Sequence, residues 1–288
     1  MSIPEKIAAR IEEKPIPSLV AFKLLHLLDD EDHSIKQVVQ LIENDPSLTT
    51  EVLKVANSAT YFRGKEVTTM GRAVLLMGEM MVVGIAICAS SSIVFNQPLE
   101  GYHCKEGQMW QHAVKSAIAS RELVAFLKKK IPAGLAFTAG LLHDIGKSVL
   151  SEFLLEKRDA LLALWNGEQV EDFLLAERET VGTDHAQVGY VLSGHWGLPK
   201  ALRIAIRDHH NPSDTDTEFR ELVYTVHLGD HIAMMAGAET GSDSFGYRVD
   251  AEYADYFDIT KDQFALLFLT VQEEFERIKA TIMSEGKG

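Results

Sequence analysis

Cysteine is scarce: Cys88 and Cys104 are the only two in 288 residues, and they lie in different segments. That excludes a disulfide framework and suits free thiols in a reducing compartment. Proline and glycine, 8 and 20 residues, fall mainly at junctions between segments. No stretch alternates apolar and polar residues as a half-buried strand requires. No apolar run is clean enough to span a bilayer: the best, Val74 to Ile93, is broken by Gly78, Glu79, Gly84 and the serines from Ser90 to Ser92. It reads as a buried core helix. Positive charge is in short supply, 28 Lys and Arg against 42 Asp and Glu, for a net charge of −14. A surface this acidic repels phosphate backbones and argues against a nucleic-acid partner over a broad face, while leaving room for a local basic pocket. The opening residues, Met1-Ser2-Ile3-Pro4-Glu5-Lys6, show no signal-peptide pattern, so the expected location is the cytoplasm, without membrane association.

What is present is helix nearly throughout, over an apolar fraction of 46% that supports a sizeable core. Pro15-Ile16-Pro17 breaks the first helix, and Ser18 is a candidate N-cap for a second through Leu24, Leu25 and Leu28. Ser34 caps a helix to Glu43, and Asp45-Pro46 caps and starts the next. After a loop around Arg63-Gly64, Thr68 or Thr69 opens a helix that Gly78 ends. Further helices are expected near 107–129, 132–142, 147–155, 158–164, 170–181, 184–194, 199–208, 218–236 and 261–284. The fold class is therefore all-α, a multi-helix bundle. Asn96 to Cys104 is the best internal boundary, and Gly237 to Asp255 is long, Gly-rich and acidic, either a loop with short turns or partly mobile. Three parts result: an N-terminal helical subdomain (1–96), a second helical subdomain (97–236), and the acidic loop with a C-terminal helix (237–288). Asn57-Ser58 reads as a helix end, with a contact fixing the N-terminal helices against the second half as the functional alternative. Trp110 and Trp196 read as core aromatics, with a pocket-lining role as the alternative.

The chemistry gathers on Leu141-Leu142-His143-Asp144-Ile145-Gly146-Lys147, where an apolar run delivers a His and an Asp side by side. Of the 11 histidines, His26, His33 and His103 show no partner pattern, and His195 sits at a helix end. His227 and His231 share one helix face, with metal, supporting or surface roles all open. His112, His143-Asp144, His185, His209-His210 and Asp230 form a joint pattern, each separated from the next by roughly one helix and its return. A bundle brings such positions to one central cleft. Five imidazoles with two carboxylates suit transition metals such as Fe, Mn or Zn, whereas an all-oxygen set would favour Mg or Ca. They exceed what one ion uses, and Asp144 is the natural bridge between two. Lys147, one helical turn after Asp144, faces the same cleft and is placed to bind a phosphate oxygen. Asp144 and Lys147 are thus the candidates for catalytic roles.

The order His112 … His143-Asp144 … Asp230 resembles the signature of the HD superfamily of metal-dependent phosphohydrolases. His185 and His209-His210 resemble the added ligands of its binuclear, HD-GYP-like members. In that branch the paired His is followed by Gly-Tyr-Pro; here Asn211-Pro212-Ser213 follows, and Gly246-Tyr247 lies far downstream. The N-terminal half is similar to the HDOD domain, an HD-related output domain of bacterial signalling proteins, through Pro15-Ile16-Pro17-Ser18-Leu19, Ile42-Glu43-Asn44-Asp45-Pro46-Ser47-Leu48, Val52 to Ala59 and Ala73 to Gly78. The resemblance implies an HD-type bundle with an N-terminal helical subdomain. It implies one ion on His112, His143, Asp144 and Asp230, and a second on Asp144, His185, His209 and His210, each Fe, Mn, Ni or Zn. It implies a regulatory module working through a signalling protein partner or a phosphate-containing small molecule. The alternative is an active phosphohydrolase on a nucleotide or other phosphate ester, with cyclic dinucleotides less favoured because the Gly-Tyr-Pro loop is missing.

Overall fold

The computed structural model describes residues 3–13, 20, 23–24, 27, 33–57, 66–90, 95–167 and 169–283. Among them there is no strand; the extended contacts are two isolated bridges, Leu99 with Cys104 and Leu127 with Phe257. The all-α expectation holds. The helices are α1 (Ile3–Glu13), α2 (Ile35–Glu43), α3 (Pro46–Ala56), α4 (Met70–Met77), α5 (Glu79–Ser90), α6 (Gln108–Leu123), α7 (Ala133–Leu142), α8 (Lys147–Leu155), α9 (Arg158–Asn166), α10 (Phe173–Val181), α11 (His185–His195), α12 (Lys200–Asp208), α13 (Arg220–Met235), α14 (Tyr253–Tyr256) and α15 (Lys261–Met283). None of the described helices is long and apolar enough to cross a membrane.

Local chemistry sets the boundaries. Asp45 accepts from the amides of Ser47 and Leu48, and Pro46 opens α3. Ser34 and Gln37 form a capping box on α2. Thr69 caps α4, and Gly78, at φ 85°, ends it and divides the apolar run into α4 and α5. Asn57 closes α3 and also clamps the returning chain: its amide donates to the carbonyls of Leu53 and Val67 and its oxygen accepts from the Val67 N–H. These Asn57 contacts stay within the N-terminal half, and Ser58 lies outside the described residues. The expected Ser18 cap and the loop around Arg63-Gly64 lie outside the described residues.

The centre of the bundle is α6, packed against α7, α13 and α15. Small residues permit the approach. A Cβ on Gly140 would lie 2.6 Å from Ser120 Oγ and 2.7 Å from the Ser116 carbonyl, and one on Gly229 would also collide with Ser120 Oγ. The helices bearing His112, His143 and Asp230 are therefore drawn together at glycine–serine contacts. Buried Lys115 and half-buried Arg121 dock the C-terminal helix onto α6. Lys115 Nζ donates to the Ala236 carbonyl (2.6 Å) and to Gln272 (2.9 Å), and Arg121 makes a paired contact with Glu274 at 2.8 and 2.6 Å. Trp196 is buried, as expected of a core aromatic. Trp110 packs on Phe275 and lines a cavity of about 310 Å³ with Val114, Phe137, Leu141 and Ile278.

Candidate metal centre

His143 and Asp144 occupy the tight turn between α7 and α8. The turn is tight because α11 crosses it: a Cβ on Gly146 would collide with the carbonyl of His185. That crossing places the start of α11, which Asp184 caps through the Gln187 amide, directly beside Asp144. His209 and His210 follow the end of α12, and Asp230 and His112 project from the interiors of α13 and α6. All seven side chains anticipated as ligands come together, and none is more than 8% exposed.

They form two groups that share Asp144. His112, His143 and Asp144 offer ligand atoms within 4.8 Å of one another, as do Asp144, His185, His209 and His210. Asp230 Oδ1 completes the first group, 3.0 Å from His112 Nε2 and 3.6 Å from His143 Nε2. The two oxygens of Asp144 divide the work. Oδ2 faces His112 (3.5 Å) and His143 (3.6 Å), while Oδ1 faces His185 (3.3 Å) and His209 (3.7 Å).

The protein fixes the imidazoles from behind. His112 Nδ1 donates to the Ala238 carbonyl, His143 Nδ1 to Gly140 and His209 Nδ1 to Ile206, each at 2.8 Å. A carbonyl can only accept, so in each ring Nδ1 carries a proton and Nε2 turns inward toward the cluster, where it would meet a metal. His185 is held by Glu177, which takes both its backbone N–H and its Nδ1–H. His112 Nε2 and His143 Nε2 lie 3.3 Å apart. Asp144 Oδ1, His209 Nε2 and His210 Nδ1 are buried without a hydrogen-bond partner. Leaving such atoms unpaired costs about 1–3 kcal/mol each, and cations at Nε2 and Oδ1 remove that cost for the first two. The donor set therefore fits divalent transition ions.

Electrostatics agree with a cation-binding pocket. Burial pushes the Asp144 carboxyl up, but Lys147, His143 and the other imidazoles hold it well below the usual carboxylate range. Asp230 is held well below that range against the same burial by His112 and His143. Burial pushes His209 down to about 4. His185 goes up to about 10: burial opposes this, and Glu177 with Asp144 overrides it. In the bare protein His185 thus keeps a proton that a metal would displace.

Lys147 faces the cluster, as its spacing implies, yet its ammonium is fully engaged. Nζ lies 2.6 Å from Asp144 Oδ2, 2.6 Å from Asp243 Oδ2 and 3.3 Å from Thr240 Oγ1. Asp243, Thr240 and Tyr247 come from the acidic loop, which is ordered here and folded into the site. His227 is a strut, its Nδ1 donating to the His209 carbonyl (2.7 Å) and its Nε2 accepting the Asp250 N–H (2.9 Å). His33 pairs instead with Glu79 at the start of α5, 2.8 Å away.

Glu177, Tyr102, Asp243, Thr240 and Tyr247 are absent from the sequence-derived set. Glu177 did leave a signal, since it falls on the apolar stripe of α10 marked by Phe173, Leu174 and Val181. The loop residues carry none. A cavity of about 300 Å³ reaches the outer edge of the cluster, with His210, Tyr247, Asn211, Ser213, Asp172 and Arg248 among its walls.

These features define an all-helical protein with a buried His/Asp cluster able to bind metal. The HDOD domain model matches residues 15–212, and the chain belongs to that family. The fold is shared with a Marinobacter aquaeolei protein provisionally assigned to signal transduction (22% identity, TM-score 0.71, covering 96% of this chain and 60% of that one). It is shared with an HDOD domain protein of unknown function from Geobacter sulfurreducens (19%, TM-score 0.66, 96% and 97%) and a provisional metal-dependent phosphohydrolase from Shewanella amazonensis (18%, TM-score 0.59, 98% and 99%). In sequence, the chain is 24% identical over 274 residues to an uncharacterized protein of Treponema pallidum, covering 94% of this chain and 51% of the relative. It is also 30% identical over 115 residues to ribonuclease Y of Thermus thermophilus, covering 39% of this chain and 15% of that enzyme. The chain thus spans about half the length of its Treponema relative.

Proposed function

We propose that this chain is a bacterial, cytoplasmic signal-transduction module of HDOD type. It holds two divalent transition-metal ions and responds through them to a phosphate-containing small molecule, passing the response to a signalling protein partner. The observation that carries the reading is the inward convergence of imidazole Nε2 atoms on a shared Asp144, with their Nδ1 protons fixed from behind. His112, His143, Asp144 and Asp230 would hold one ion and Asp144, His185, His209 and His210 the other. Such ions supply Lewis acidity and a clamp for phosphate oxygens.

The burial of every ligand favours a module over an open catalytic centre, which keeps a coordination position free for substrate. The alternative, a phosphohydrolase acting on a nucleotide or other phosphate ester, is favoured by the cavity that reaches His210. One experiment separates them. Elemental analysis of the purified protein should give metal near two ions per chain, and chelation should lower the melting temperature, because ligands that bind only the folded state stabilise it. A screen of generic phosphoesters and cyclic dinucleotides with Mn²⁺ should show no turnover. Phosphate release that vanishes in Asp144→Ala would replace the module reading with the enzyme, and a metal-free protein purified under metal-replete conditions would refute both.

A further inference from the structure

The segment from Ala238 to Asp250 lies across the cluster and touches almost every part of it. Its Ala238 carbonyl receives the His112 Nδ1–H. Asp243, fully buried, accepts from Lys147 Nζ (2.6 Å), from the Thr240 hydroxyl (3.0 Å) and from the Tyr247 hydroxyl (2.8 Å). The Tyr247 ring stacks on His210 at 3.9 Å and 21°, with Lys147 Nζ 5.2 Å from its centroid. Asp250 is tied to the His209 carbonyl through His227. Ser242 seats the segment on Tyr102 by donating its N–H and hydroxyl to the Tyr102 carbonyl, and the Tyr102 hydroxyl runs on to Glu177 and so to His185.

The outer side of the segment is tied through the Phe173 N–H to the Gly246 carbonyl (2.8 Å) and through Arg248 to Glu171 (3.0 Å). Phe245 takes φ 59°, a left-handed conformation uncommon for a bulky side chain, and its ring is more than half exposed. Gly237 and Gly241, at φ 74° and 113°, supply turns on the near side. A buried ammonium with three donors is satisfied by Asp144, Asp243 and Thr240 and has none left for an incoming anion.

We propose that Asp243 is an internal competitor for the anion position at Lys147, and that the Ala238–Asp250 strap must release Lys147 before a phosphate group can bind at the metal centre. The proposal rests on the metal-module reading and specifies how its site is regulated. Asp243 brings one negative charge and Tyr247 orients it. A dianionic phosphate competes on charge and also reaches the metal side, whereas a neutral ligand has no means of displacing the strap.

The test is calorimetric titration of inorganic phosphate into the metal-loaded protein. Asp243→Asn keeps the shape and removes the charge, and should bind phosphate about tenfold more tightly or better, the fold-change of one charge-assisted hydrogen bond. Tyr247→Phe, which keeps the stack and removes the hydroxyl, should give a smaller gain and serves if Asp243→Asn does not fold. Adding Lys147→Met to Asp243→Asn should abolish the gain. Hydrogen exchange in residues 238–250 of the wild type should rise when phosphate binds. Unchanged or weaker phosphate affinity in the folded variants, a gain that survives Lys147→Met, or unaltered exchange in the strap would each overturn the proposal. Elemental analysis beside each titration separates this failure from failure of the metal reading. If the wild type proves metal-free, the same titration of the metal-free variants still decides whether Asp243 competes for Lys147.

Discussion

Glu177 grips His185 twice, accepting its backbone N–H at 2.9 Å through Oε2 and lying 2.9 Å from its imidazole Nδ1. The grip fixes both where α11 starts and which ring nitrogen turns inward. The Tyr102 hydroxyl, 2.6 Å from Glu177 Oε1, holds the carboxylate in turn. A carboxylate behind a ligating imidazole orients the ring and raises its basicity.

Glu177→Gln keeps the size but loses the charge. It should weaken metal binding by roughly 10–100-fold, the usual cost of losing such a supporting group. The ion shared by His185, His209 and His210 should be the one lost, leaving about one ion per chain under competition with a mild chelator. Glu177→Gln retaining both ions at wild-type affinity would show that the contact only caps the helix.

Much of the fold and of the cluster was legible in the chain. His112, His143, Asp144, His185, His209, His210 and Asp230 stood out because each type is a metal donor and each interval matches a helix and its return. The starts of α8 and α12 were readable because Gly146 and Pro199 precede them. Asp243 and Tyr247 were hidden for a physical reason. An acidic, Gly-rich loop has the composition of solvated chain, and nothing in it shows that Asp243 would be neutralised by a lysine almost a hundred positions earlier. Lys147 was recognisable as a cation facing the cluster, but the occupancy of its donors depends on tertiary contacts that spacing does not encode.

The metal-free protein should be most stable near neutral pH. His209 and His227 are both pushed down to about 4, the first by burial and the second by burial and then by His231, from an ordinary value of 6.5. Between those values the unfolded chain takes up protons that the folded chain refuses, so stability falls as pH drops from about 6.5 toward 4. His185 works the other way. Its value is raised to about 10, so the stabilisation it gives is full below 6.5 and is lost as pH rises toward 10. Thermal melts in chelator should therefore pass through a maximum at roughly pH 6–7, where neither penalty is large. Metal loading should flatten the alkaline side, because the ion takes the place of the His185 proton. A metal-free melting temperature that stays level or climbs steadily from about pH 5 to 9 would contradict these assignments.

Gly146→Ala tests whether the crossing of α11 over the His143-Asp144 turn builds the centre. The backbone angles there are helical, φ −64° and ψ −26°, so alanine carries no conformational penalty at this position. By unfolded-chain entropy alone the change should stabilise the protein slightly. The packing predicts the opposite, because the new Cβ would collide with the His185 carbonyl and lie 2.5 Å from the Gly189 nitrogen, both backbone atoms that cannot rotate away. Relief requires α11 to move off the turn, which carries His185 away from Asp144. The expected loss is about 1–3 kcal/mol of stability, typical of overpacking, together with weaker binding of the ion that His185 shares. Gly71→Ala is the control: Gly71 lies in the first turn of α4, and an added Cβ there meets nothing within 4 Å. Urea denaturation of both variants, with metal content measured in parallel, distinguishes the two effects. Gly146→Ala as stable as the Gly71 variant, with both ions retained, would mean that the close approach of α11 is not what holds His185 against Asp144.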